Sequence, residues 1–91
     1  MRERRKYRNA MADKHLYRVR AQWDGEAKVW VAESDDVPGL ITEAENPEKL
    51  AEKLMVLIPE LLEANGLRLE KSSEVTIKYE REERLSLPAA A

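Results

Sequence analysis

The run SDDVPGLITEAENPEKL, from Ser34 to Leu50, sets turn, strand and helix-start signals in direct succession, and its reading decides the fold. Asp36 opens a tight turn, Pro38 holds φ in the range its ring imposes, and Gly39 supplies the positive φ that a type II turn needs at its third position. Leu40 to Ala44 reads as a short, half-apolar strand. Asn46-Pro47 then starts a helix. Asn is a favoured N-cap, and Pro at the first helical position lacks an N–H that no intrahelical acceptor would have used.

Downstream, Leu50, Ala51, Leu54, Met55, Leu57, Ile58, Leu61, Leu62 and Ala64 fill about half of a helical wheel, with Glu48, Lys49, Glu52, Lys53, Glu60 and Glu63 on the rest. A stripe that broad suits a helix lying flat on a sheet. Gly66, after Asn65, is placed as the residue just past the helix end. Pro59 denies the carbonyl of Met55 its donor, so a kink or two helical pieces are expected there. A period of two returns in Glu74 to Tyr79, with Val75, Ile77 and Tyr79 on one side and Thr76, Lys78 and Glu80 on the other. EREER ends the clear alternation, and Leu85, Leu87 and the Pro88 tail read as a strand extension or a frayed end.

Upstream, Tyr17, Val19, Ala21 and Trp23 alternate with Leu16, Arg18, Arg20 and Gln22, the pattern of a half-buried strand. Asp24-Gly25 is a hairpin signal of the type I′ kind, and a second strand follows over Lys28 to Ser34. An even-length loop sets Val19 against Trp30 and Tyr17 against Ala32; an odd loop with a bulge brings Val29 and Val31 to the core instead. The even loop is preferred. Either way the second strand is apolar on both faces, whereas one helix covers only one, so a homodimer or a protein partner is expected over the other. The competing reading has Lys and Arg stems lying over the valines.

The fold class is therefore α+β in the order β-β-β-α-β, with one helix on one face of a four-stranded mixed sheet. Strands one to three form a meander, and a right-handed crossover returns strand four beside strand one, parallel to it. This is part of a ribonuclease H-like layer. The boundaries read as a basic arm over 1–14, a domain over 15–87 and a tail over 88–91.

The 91 residues suffice for one small domain, which buries little more than half of its unfolded surface. With no cysteine, disulfides and thiolate metal sites are excluded, and a cytoplasmic home is expected. No apolar run approaches the ~18 residues of a membrane span, and the N-terminus lacks the layout of a signal peptide. A charged fraction of 37% with a single Gln leans towards a thermophilic source. The net charge of −2 conceals an asymmetry: residues 1–14 hold six Lys/Arg against two Asp/Glu, whereas residues 15–91 hold ten against sixteen, giving +4 and −6. The arm carries Arg2, Arg4, Arg5, Lys6 and Arg8, and Met11 is a second candidate start. An extension without a role is the favoured reading over a nucleic-acid or membrane-surface arm.

Val31-Ala32, Asp36-Val37-Pro38-Gly39-Leu40, Thr42, Glu45-Asn46 and Glu48 together resemble the HicB-like antitoxin domain, whose signature is a hairpin, an acidic Asp-x-Pro-Gly turn, a short strand and an acidic helix start. The longer string WVAESDDVPGLITEAENPEKL, with PELLEANG near the helix end, is similar to a small HicB-related bacterial domain of uncharacterised function. The resemblance spans roughly residues 16–80. Two features depart from it. Ala44 stands where HicB antitoxins usually have Gly, and nothing after Tyr79 has the length or period of their DNA-binding segment, so operator binding is not carried over. The resemblance implies a dimer that covers the active surface of a small basic ribonuclease toxin, or a solitary relative of such antitoxins. Glu33, Asp35, Asp36, Val29 and Val31 would be its contact region.

Catalysis is not expected. His15, the only histidine, stands at a strand start without Cys or an evident Ser partner. Glu33, Asp35 and Asp36 invite comparison with a Mg²⁺ site, but adjacent Asp residues at a turn more often accept backbone N–H groups, and no second carboxylate cluster converges on them. No cofactor is expected, since the glycines are all accounted for by turns or a cap. The rival to protein binding is a small nucleic-acid-binding module using the basic arm with Arg18 and Arg20; the acidity of the body opposes it.

Overall fold

The computed structural model describes residues 16–89. Strands β1 (Leu16–Asp24), β2 (Val29–Glu33) and β3 (Ile41–Ala44) precede helix α1 (Pro47–Ala64), and β4 (Glu74–Glu80) follows it. The sheet order is β3-β2-β1-β4, antiparallel at the first two junctions and parallel between β1 and β4. The fold is the expected β-β-β-α-β arrangement, a mixed open sheet with one helix. The arm over 1–14 and His15 lie outside the described residues, as do the last two alanines.

Side-chain alternation sorts the sheet into two faces. Tyr17, Val19, Ala21 and Ala32 point towards α1 and are buried together with Val37, Leu40, Ala44, Leu50, Leu54, Ile58 and Leu62. The buried helical residues recur every fourth position, one ridge of an amphipathic helix. The helix backbone approaches β3 and β2 most closely. Met55 and Ala64, assigned to the apolar half-wheel from sequence, lie outside this ridge, and Met55 is 73% exposed. At one end of the same face Trp30 meets Trp23 edge-on at 5.4 Å and Tyr79 at 5.2 Å, while the Arg81 guanidinium sits 4.9 Å from the Trp23 ring.

The hairpin keeps the expected parity but not the expected register. Trp23 faces Trp30 and Ala21 faces Ala32, so Val19 does not meet Trp30, nor Tyr17 Ala32. The connection is four residues, Gly25 to Lys28, in place of a two-residue type I′ turn. The Asp24 carboxylate draws it round: Oδ1 accepts from the N–H groups of Glu26 and Ala27, and the Lys28 N–H donates to the Asp24 carbonyl at 2.8 Å. Lys28, expected in the strand, takes the left-handed conformation instead, with φ of 62°.

Leu40 precedes β3 as a buried turn residue. Helix α1 begins as expected, with Asn46 Oδ1 accepting from the Lys49 N–H at 2.8 Å and Pro47 at the first position. It runs through Pro59 as one element, not two, and Pro59 itself is half-buried between Ile58 and Glu60. It closes in a Schellman motif: the N–H of Leu67 reaches the carbonyl of Leu62, and that of Gly66 the carbonyl of Glu63. Gly66 has φ of +74°, which is why Gly stands there.

Candidate functional site

The segment after β2 shows how the acidic turn is made. The Leu40 N–H donates to the Val37 carbonyl across Pro38-Gly39, with Gly39 at φ +83°, a type II turn. Val37 and Leu40 anchor it in the core at 0% and 4% exposure. From the other side the Asn65 amide at the end of α1 donates to the Pro38 carbonyl at 3.4 Å and to that of Leu61 at 2.8 Å. The turn is thus held between sheet and helix end.

Asp36 is turned towards β1. Its Oδ2 accepts the Arg18 backbone N–H at 2.8 Å, and the Arg18 guanidinium lies 3.8 Å from the same oxygen. The Ser34 hydroxyl donates to the Arg18 carbonyl and accepts from the Asp36 N–H at 3.0 Å. Past the last β1–β2 pair, Arg20 with Glu33, side chains therefore replace the backbone ladder and satisfy both polar groups of Arg18. Asp35 points outward and pairs with Arg20 at 3.3 Å. Ser34, expected as the last residue of the second strand, lies just past β2 and caps the turn instead; its spacing of two from Asp36 is the signal of a hydroxyl-capped turn.

Among the described residues, no group of three or more His, Cys, Asp or Glu is placed to share a metal ion. No helix there is long and apolar enough to cross a membrane. Arg2, Arg4, Arg5, Lys6 and Arg8 lie outside the described residues. Arg18 and Arg20, the body's part of a nucleic-acid surface, are engaged by Asp36 and Asp35.

The structure brings Val29, Val31 and Glu33 to one place. On the sheet face away from α1, Val31 stands between Gln22 and Glu43, and Glu33 between Arg20 and Ile41. Val29 and Val31 are half-buried, and Ile41 is 70% exposed. Glu33 and Glu43 carry no carboxylate ion pair among the described residues. The result is a short apolar strip, Val29, Val31 and Ile41, with an acidic border that Asp35 extends. Ile41 and Glu43 were not singled out from sequence; their alternation in ITEA was the available signal.

A second apolar surface lies on the helix side. Between α1 and β4 runs a groove of about 380 Å³, lined chiefly by Leu54, Met55, Ile58, Leu69, Val75 and Ile77. Beyond it Tyr79 is 38% exposed. Burial raises the Tyr79 phenol above its ordinary pKa of 10.0, and the negative charge of Glu48 pushes the same way.

A family model described as a domain of unknown function, DUF1902, matches residues 16–88. The crystal structure of a hypothetical protein from the extremely thermophilic bacterium Thermus thermophilus is similar, at 53% sequence identity over 80% of this chain and 100% of that one, with a TM-score of 0.62. No curated protein matches.

Proposed function

This chain belongs to the DUF1902 family, a domain of unknown function, and we propose that it is a non-catalytic protein-binding domain of the HicB antitoxin kind, dimeric, which covers a small basic ribonuclease toxin or descends from domains that did. The observation that carries this reading is the strip of Val29, Val31 and Ile41 bordered by the carboxylates of Glu33, Glu43 and Asp35. Apolar contact there gives affinity, and the negative border speeds encounter with a basic partner and rejects acidic ones. Asp36 contributes by shaping the turn, since its Oδ2 holds the Arg18 N–H. The excess of six acidic residues over 15–91 extends the same potential.

The test is growth rescue. A short basic reading frame adjoining the gene is expressed alone and with this protein; toxicity relieved by the wild type, and not by a Val31→Asp, Glu43→Lys variant of unchanged circular dichroism, is the expected result. Without such a frame only the solitary descendant remains; a frame whose toxicity the wild type does not relieve, or rescue that ignores both substitutions, ends the reading. Nucleic-acid binding through the body finds no support in the engaged Arg18 and Arg20. A gel-shift assay with and without residues 1–10, at two salt concentrations, checks the arm itself.

A further inference from the structure

The C-terminal segment after β4 carries an unused strand pattern. Continuing the alternation of Val75, Ile77 and Tyr79, the odd positions include Leu85 and Leu87, and the even ones, Glu80, Glu82, Arg84 and Ser86, are polar throughout. Extended, Leu85 and Leu87 belong to the face that bears α1. Yet they are 74% and 87% exposed, every residue from Arg81 to Ala89 is exposed, and the segment forms no ladder. Beside it, among the described residues, no strand pairs with the outer edge of β4 over 75–80, since the order is β3-β2-β1-β4. An open edge next to an apolar groove is a template for another strand.

The segment does not fold back on its own β4. EREER offers no Gly, Asn, Asp or Pro for a tight reversal, and a two-residue loop at Glu82-Glu83 would put Leu85 opposite Glu80, on the wrong face. A second copy has neither difficulty. A two-fold axis perpendicular to the sheet pairs the two edges antiparallel, keeps both helices on one side, and must pass through a residue pair of like number.

We propose that two copies join through the β4 edge and the Glu82–Leu87 segment, with Glu82 on the axis, forming one continuous eight-stranded sheet. In that register Leu87 of one copy faces Ile77 of the other at the mouth of the groove, and Leu85 faces Tyr79. Arg84 faces Glu80 and Glu83 faces Arg81, each twice by symmetry, against a single like-charged contact between the two Glu82 side chains. Neighbouring registers are worse. An axis at Arg81 opposes Glu82 to Glu80 and Arg84 to Lys78; one at Glu80 lays Glu83 on Ile77; one at Glu83 sets Leu85 on Arg81 and leaves Ile77 uncovered. The charges select the register, and the leucines with the added ladder supply the affinity.

This rests on the dimer of the proposed function, names its surface, and leaves the Val29–Val31–Ile41 strip open to a partner: mass measurement decides the dimer and its surface, whereas growth rescue decides the partner-binding strip. Light scattering on the full chain should give a dimer. Leu85→Asp with Leu87→Asp should give a folded monomer by circular dichroism. Glu80→Arg should weaken association at least tenfold, and Glu80→Arg with Arg84→Glu should restore it. As the protein has no cysteine, Glu82→Cys should oxidise to a linked dimer, whereas Ile41→Cys should not. A monomeric wild type overturns the proposal. So does a dimer that survives the aspartates while Glu82→Cys stays unlinked.

Discussion

The helix-facing surface of the sheet has two halves built from the same alternating pattern and covered very differently. Over β1 to β3, Val19, Ala21 and Ala32 are at most 1% exposed, beneath the ridge of Leu50, Leu54, Ile58 and Leu62. Over β4, Val75 and Tyr79 are 37% and 38% exposed, and a groove separates the strand from the helix. Alternation predicts which way a side chain points; it does not predict what meets it. One helix of ordinary width covers about half of a four-stranded sheet, and its ridge is spent on the half nearest its own start.

Substitutions sharpen this contrast. Leu54→Ala, on the covered half, should lose about 2–5 kcal/mol of unfolding free energy, whereas Val75→Ala should lose only about 1 kcal/mol, both read by urea titration. Gly39→Ala should cost about 1–2 kcal/mol, because φ of +83° strains any residue with a Cβ and the turn seats Val37 and Leu40 in the covered core. The nearest atom to that Cβ, Leu61 Cδ2 at 3.7 Å, is an ordinary contact, so conformation and not crowding sets the cost. Asp36→Ala should lose about 1 kcal/mol through the unsatisfied Arg18 N–H, and Asp35→Ala less than about 0.5 kcal/mol, since its pair with Arg20 is exposed.

On the open half the expected effect is a titration. The raised pKa of Tyr79 means its neutral form is favoured in the folded chain, so the associated stability is complete below pH 10.0 and is lost as pH rises through the higher folded-state value. Absorbance of wild type minus Tyr79→Phe should show a phenol titrating above the ordinary 10.0, and Glu48→Gln should bring it partly down.

Much of this architecture was legible from residue order. Asn46-Pro47 and Gly66 mark the helix ends through backbone chemistry that is local, and Pro38-Gly39 marks the turn for the same reason. The hairpin register was not, because Asp24-Gly25 suits a two-residue turn as well as the four-residue loop that the Asp24 carboxylate draws closed. Neither was the exposure of Met55, set by where the helix lies on the sheet; at Pro59 residue order left a kinked single helix and two pieces both open, and the chain forms one helix. For the candidate site, Val29, Val31 and Glu33 fell together as their alternation implied. The outward Asp35 and inward Asp36 were not separable, since adjacent identical side chains are told apart only by what each can reach.

Where β2 gives out, a hydroxyl and a carboxylate stand in for the next strand residue, so the chain departs the sheet without stranding the N–H or the carbonyl of Arg18. Ser-Asp-Asp-x-Pro-Gly is in that sense a joint, like a mitre cut between two boards. Finding the same letters in another chain would disclose how its backbone leaves a layer, and would say nothing of which molecule it meets.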